Sequence, residues 1–241
     1  MKKLVLALFL CLLLAVSIAP VYASITVEVL IDDSLHVSFY FDFKDNSTIY
    51  DEIVAHPEIF NSSSIRLTIM KNLEKQNLKK VSSSHIPTEF SNNAEKSIHV
   101  EFYLGGEDIL SYTLNTTTAT RTYSVKMNWM KFEISLTNTF KLNFTSYFAT
   151  PMSNWQKVNH TIGGNVHLAL YHNSTAGTAP FYTACYFILP TTATNIKTVG
   201  DTLIFETPTI LEDRLIDSPL LILGGIIIAI IAANLYRKVR K

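Results

Sequence analysis

The sequence predicts a mainly β architecture: an antiparallel β-sandwich-like ectodomain with one amphipathic helix inserted, followed by a single C-terminal transmembrane helix. Three observations carry that expectation. Apolar residues alternate with a period of two in about ten stretches. Only one stretch, Ile65 to Val81, follows a helical period instead. The chain closes on an uncharged run, Leu220 to Tyr236, with Arg237, Lys238, Arg240 and Lys241 behind it. At about 1.5 Å per residue such a run covers roughly 25 Å, near the short end of what spans a bilayer.

At the amino end, Lys2 and Lys3 precede an apolar stretch from Leu4 to Ala15. Val21-Tyr22-Ala23 then places small residues where a signal peptidase reads, so cleavage before Ser24 is expected. The expected organisation is a signal peptide over 1–23, an extracytoplasmic β-rich domain over 24–218, a membrane helix over 219–236 and a basic cytoplasmic tail over 237–241. The basic end sets the direction, since Lys and Arg collect on the cytoplasmic side. The domain is large enough for one good-sized core, with 149–164 as a possible subdivision.

Residues 25–43 read as a hairpin. Ile25, Val27 and Val29 alternate with polar neighbours, Asp32-Asp33-Ser34 turns the chain, and Leu35, Val37, Phe39, Phe41 and Phe43 alternate again. His36 falls on the opposite face and reads as a solvated strand residue. Asp51–Val54 suggests a short helix ended before Pro57. In the following helix Ile65, Ile69 and Leu73 recur every four residues, one of Ser62 to Ser64 caps the start, and Lys79 and Lys80 close it. Residues 82–96 read as polar loop. Strands then follow at Ile98–Leu104, Ile109–Leu114, Tyr123–Trp129, Phe132–Leu136, Phe140–Phe144, Val166–Tyr171, Phe181–Leu189 and Thr202–Glu206. Gly105-Gly106 marks one turn. Thr209 to Glu212 has capping-box spacing and suggests a short helix over Ile210–Ile216.

Charge bounds the partners. Of 20 basic residues, two precede Ser24 and four follow Tyr236, leaving 14 against all 20 acidic residues, a net −6 for residues 24–218. That balance disfavours nucleic acid. Cys185 is the one cysteine after Ser24, in an apolar strand, so it reads as buried and inert. Asn-x-Ser/Thr sequons begin at Asn46, Asn61, Asn115, Asn143, Asn159 and Asn173, each a glycosylation candidate that an occupied glycan would mark as surface. In the terminal run Gly225, Ala229 and Ala233 fall at spacings of four, a small-residue stripe suited to helix packing in lipid.

Chemistry-bearing patterns are sparse. There is no Gly-x-Ser-x-Gly, His-Glu-x-x-His or phosphate-loop motif. Asp42, Asp45 and Asp51 lack calcium-loop spacing. His160, His167 and His172, with Cys185 and Met152, have the chemistry of copper ligands, but no His follows Cys185. No catalytic, cofactor or metal residue is therefore assigned. Trp129 follows a core phase, whereas Trp155 is the better candidate for an exposed aromatic, with local packing as its plainer reading. The expected function is a non-catalytic, membrane-anchored cell-surface glycoprotein acting in adhesion, envelope structure or as an accessory subunit. It would contact membrane lipid and a second copy or membrane partner near the bilayer. The alternatives are an exported, membrane-tethered enzyme of hydrolase type and a metal or redox domain.

Overall fold

The computed structural model describes residues 21–30, 33–135, 141–174 and 181–210, together with Ile227, Ile228 and Tyr236. The fold is mixed α/β. Its first sheet has seven strands in the order β3-β4-β2-β1-β11-β10-β9, and its second has four in the order β12-β13-β6-β5. The strands of the first are β1 (Val21–Val29), β2 (Ser34–Asp42), β3 (Ser82–Ser91), β4 (Ser97–Gly105), β9 (Gln156–Ile162), β10 (Asn165–Ser174) and β11 (Phe181–Ile188). Those of the second are β5 (Leu110–Asn115), β6 (Thr120–Lys126), β12 (Thr194–Val199) and β13 (Thr202–Pro208). A short hairpin, β7 (Glu133–Ser135) with β8 (Lys141–Asn143), stands apart. Among the described residues two helices exceed one turn, α1 (Ser47–Ala55) and α2 (Ser62–Lys75).

The sandwich expectation is corrected here. Neither main sheet closes into a sandwich or barrel, and the large sheet is not purely antiparallel, since β1 and β11 run parallel from Val21↔Phe181 to Glu28↔Ile188. One face of that sheet is covered largely by helix and hairpin instead. Leu35, Val37, Phe39 and Phe41 of β2 and Ile98, Val100, Phe102 and Leu104 of β4 are all buried on it. Phe39 meets Phe102 at 5.8 Å, Phe144 at 5.6 Å and Phe132 at 6.3 Å between ring centroids. Phe41 meets Phe60 at 5.0 Å, and α2 adds buried Ile65, Ile69 and Leu73. Each such side chain contributes about 1.5–3 kcal/mol by leaving water.

α2 begins at Asn61, not at a serine: its side-chain oxygen accepts the Ser64 N–H at 2.9 Å. The helix also ends earlier than its apolar period suggests. Asn77 takes a left-handed φ of +62, and Leu78 N–H returns to Leu73 O at 3.0 Å. Lys79 and Lys80 then turn their backbone N–H groups to the Asp108 carboxylate, both at 2.9 Å, which holds that carboxyl below its ordinary range. The stretch 82–96, expected to be loop, is mostly the edge strand β3. β9 starts inside the irregular 149–164 region and joins the large sheet through β10.

The expected signal peptide is corrected at its boundary. Val21, Tyr22 and Ala23 begin β1, paired with β2 and β11, with Val21 and Ala23 buried. Cleavage before Ser24 would remove part of a central strand. Residues 1–20 lie outside the described residues. The membrane topology is corrected too. Among the described residues no helix is long and apolar enough to cross a membrane. The longest, α2, has 14 residues and carries Arg66, Lys71, Glu74 and Lys75. The expected span over 219–236, with Gly225, Ala229 and Ala233, lies outside the described residues but for Ile227, Ile228 and Tyr236, as do the basic tail and most of the expected helix at 210–216. A single-pass cell-membrane location and a lipid or membrane partner have no described helix to carry them.

The small sheet meets the β1–β2 turn through a polar clasp. Arg121 is buried, a costly place for a charge unless it is paired. Its Nη1 lies 3.3 Å from Asp33 Oδ1 and donates to the Tyr123 hydroxyl at 3.0 Å, while that hydroxyl donates to Asp33 Oδ1 at 2.8 Å. The guanidinium also rests on the Tyr112 ring, 4.2 Å from its centroid. Burial, then the adjacent Asp33 carboxylate, pushes the Tyr123 hydroxyl up to about 12, against the pull of Arg121. The folded state therefore holds this proton where the unfolded chain has lost it. Stability from this group is complete below pH 10 and is lost as pH rises toward 12. Denaturant unfolding at pH 8 and pH 11 should show that loss in the wild type, and Tyr123→Phe should reduce it. Asp33→Asn, which keeps a residue tolerant of the φ of +60, should cost about 1–3 kcal/mol at pH 7 by leaving Arg121 without its counter-charge.

Candidate functional site: the open face of the large sheet

The side chains that do not enter the core share the other face of the seven-stranded sheet, and the register fixes their neighbours. One row across the strands reads Tyr103, His36, Glu28 and then Ile188 and Ala169, both buried; the next reads Glu101, Ser38, Thr26, Tyr186, Tyr171; the third reads His99, Tyr40, Ser24. Strands about 4.8 Å apart make these rows nearly continuous. The phase that buries Phe39 and Phe41 therefore displays Ser38 and Tyr40.

At the centre, Glu101 stands between two imidazoles. Its Oε1 lies 3.2 Å from His36 Nε2 and 3.5 Å from His99 Nε2. His99 Nε2 is also 2.8 Å from Ser38 Oγ. His36 stacks on Tyr103 at 5.0 Å, and Tyr40 stands edge-on to His99 at 6.4 Å. Despite its nearness to Glu101, His36 Nε2 is buried and in no well-aligned hydrogen bond. Glu101 and both histidines are half-buried, while Tyr40 and Tyr22 are exposed at 39% and 50%. Further along the face, Tyr186 meets Tyr171 at 4.9 Å and His160 at 4.8 Å.

Ser38, His99 and Glu89 share the order of a hydrolytic triad, with His99 Nδ1 4.0 Å from Glu89 Oε2. The backbone argues against acyl transfer. Ser38 lies in the middle of β2, paired with Thr26 on one side and Glu101 on the other. The ladder N–H groups on both sides are thereby spent, and none is left to hold a developing oxyanion. A cleft of about 1100 Å³ lies elsewhere, lined by Asp33, Lys79, Lys80, Asp108 and Tyr112.

The residues singled out from sequence are scattered. His160 and His167 face each other across β9 and β10, but His167 Nδ1 sits 3.0 Å from Leu189 O. His172 lies in register with Cys185 and stacks on Trp155 at 5.2 Å. Trp155 is buried, so its plainer reading holds. Cys185 is a free, buried thiol whose surroundings push its ionisation up. Among the described residues no group of three or more His, Cys, Asp or Glu is placed to hold a metal ion. Asp51 is paired with Lys96 at 2.8 Å, and Asp42 accepts the Lys44 N–H at 2.9 Å. Of the sequon asparagines, Asn115, Asn143, Asn159 and Asn173 are exposed, Asn61 is half-buried in the α2 cap, and Asn46 is buried beside α1.

His99, Glu101, Ser38, Tyr40 and Tyr103 were not singled out by sequence. The signal was present in the polar phase of two strands, but their mutual register was not. No family model, curated protein or solved structure matches this chain significantly. Because no ladder N–H is left to hold an oxyanion, hydrolysis of p-nitrophenyl acetate by the purified chain should be unchanged by Ser38→Ala; a hundredfold fall would reinstate Ser38 as a nucleophile.

Proposed function

We propose that the chain is a binding module whose open sheet face recognises a carbohydrate. The juxtaposition of Tyr103, His36, Glu101, Ser38, His99 and Tyr40 on two adjacent strands, β4 and β2, carries this reading. Flat rings such as Tyr40 and Tyr103 suit the C–H faces of a sugar. Between them, a carboxylate, a hydroxyl and imidazole nitrogens offer the donors and acceptors that sugar hydroxyls need. The glutamates Glu28 and Glu101 disfavour a polyphosphate backbone on the same surface. This reading replaces the membrane-anchored surface glycoprotein and the tethered enzyme, neither of which finds a spanning helix among the described residues.

The test is a glycan array probed with the purified chain and with two variants that leave the core untouched. The wild type should bind a restricted set of glycans. Tyr40→Ala should weaken binding about tenfold by removing one stacking ring. Glu101→Gln should weaken it about tenfold or more by removing a charged hydrogen-bond acceptor. Both should keep the wild-type melting temperature within a few degrees. Absence of glycan binding by a folded wild type, or binding indifferent to both variants, would remove the proposal.

A further inference from the structure

The two main sheets have four edge strands, and β3 and β12 are blunted in recognisable ways. β3 contains Pro87 and shifts register between Ile86 and Glu89. β12 shifts between Thr194 and Lys197, with Asn195 at a φ of +51. These are the devices by which sheets avoid adding a strand from another chain. β5 has no such backbone irregularity but is the shorter strand, whereas β9, with Lys157 as its one charged residue, keeps a regular backbone throughout. It pairs with β10 without a shift over all seven residues, Gln156 to Ile162, and contains no proline or left-handed residue.

The turn after β9 tells which backbone groups are free. Gly163 and Gly164 take φ of +56 and +84, the left-handed pair of a two-residue type I′ turn. Such a turn is closed by a mutually hydrogen-bonded pair, here Ile162 and Asn165. Bonded and non-bonded pairs alternate along an antiparallel ladder. Gln156, Val158, His160 and Ile162 therefore spend their backbone groups on β10. Lys157, Asn159 and Thr161 point theirs away from the sheet, and all three are exposed.

We propose that two copies of this chain pair antiparallel along β9, about a twofold axis at Asn159, with Lys157 facing the partner's Thr161. This register overlaps the whole strand. Sliding the strands to centre the axis on Lys157 would set two lysines opposite each other and lose part of the overlap. The paired sheets would be continuous, carrying two open faces side by side, although the inference does not depend on what those faces bind.

Sedimentation equilibrium on the full chain, in one buffer with non-ionic detergent, tests both the association and its register. The wild type should be dimeric. Thr161→Lys sets like charges across the axis twice and should raise the dimer dissociation constant on the order of tenfold. Lys157→Glu combined with Thr161→Lys restores opposite charges and should recover the dimer. Thr161→Ala, which removes the Asn159 sequon without adding charge, should leave it intact. A monomeric wild type, a dimer indifferent to Thr161→Lys, or failure of the charge swap to restore it would overturn the proposal.

Discussion

The structure depends on the register that locks β2 between β1 and β4. In a strand, successive side chains point to opposite faces, so a shift of one residue exchanges the two faces entirely. Phe39 pairs with Ile25 and Val100, which commits Phe39 and Phe41 to the covered side. A slip would bring Ser38 and Tyr40 into a site built by Phe60, Phe102, Phe132 and Phe144, and would leave Phe39 and Phe41 in water. Several buried aromatic side chains, each worth a few kcal/mol, oppose that slip. The polar face is consequently held in place by the apolar one. His36, His99 and Glu101 converge because Phe39, Phe41, Val100 and Phe102 cannot move.

The same strand pair organises the longer connections. β1 accepts β2 on one edge and, in parallel, β11 on the other, so segments about 160 residues apart in sequence share one sheet. Parallel neighbours need a long crossover, and the intervening chain supplies both helices and half of the small sheet. The Asp33–Arg121–Tyr123 clasp ties that small sheet to the β1–β2 turn. Its strength comes from the pairing of a buried cation, not from apolar area, which makes it specific to one arrangement of the two sheets.

Much of the local structure was legible in the sequence. The period-two pattern located β1, β2 and β4, and the four-residue spacing of Ile65, Ile69 and Leu73 located α2. Edge elements were harder. β3 is rich in serine and only partly covered, so it lacks the apolar alternation that marks a half-buried strand. β12 is similarly polar and bulged. Trp129 was read as the end of a strand but lies in a short helical turn, Asn128–Met130. The parallel partner of β1 was not legible at all, because alternation reports which face is buried and is silent on which strand lies alongside. The candidate site escaped for the same reason. His36 was visibly on the polar phase, yet only the pairing of Ser38 with Glu101 and of Tyr40 with His99 makes that phase a constellation. The expected membrane span was read from an uncharged run and the basic cluster behind it, and nearly all of it lies outside the described residues.

One face of the large sheet is committed to the core, while the opposite face is polar and exposed where Tyr22 and Tyr40 stand on β1 and β2. Hydroxyl-radical footprinting of the native full chain, read residue by residue by mass spectrometry, tests it most directly. Tyr22 and Tyr40 should oxidise rapidly, with Phe39 and Phe41 on the same strand pair protected until the chain unfolds. Protection of Tyr22 and Tyr40 to the level of Phe39 would contradict it, since the face would then be covered and unable to receive a ligand.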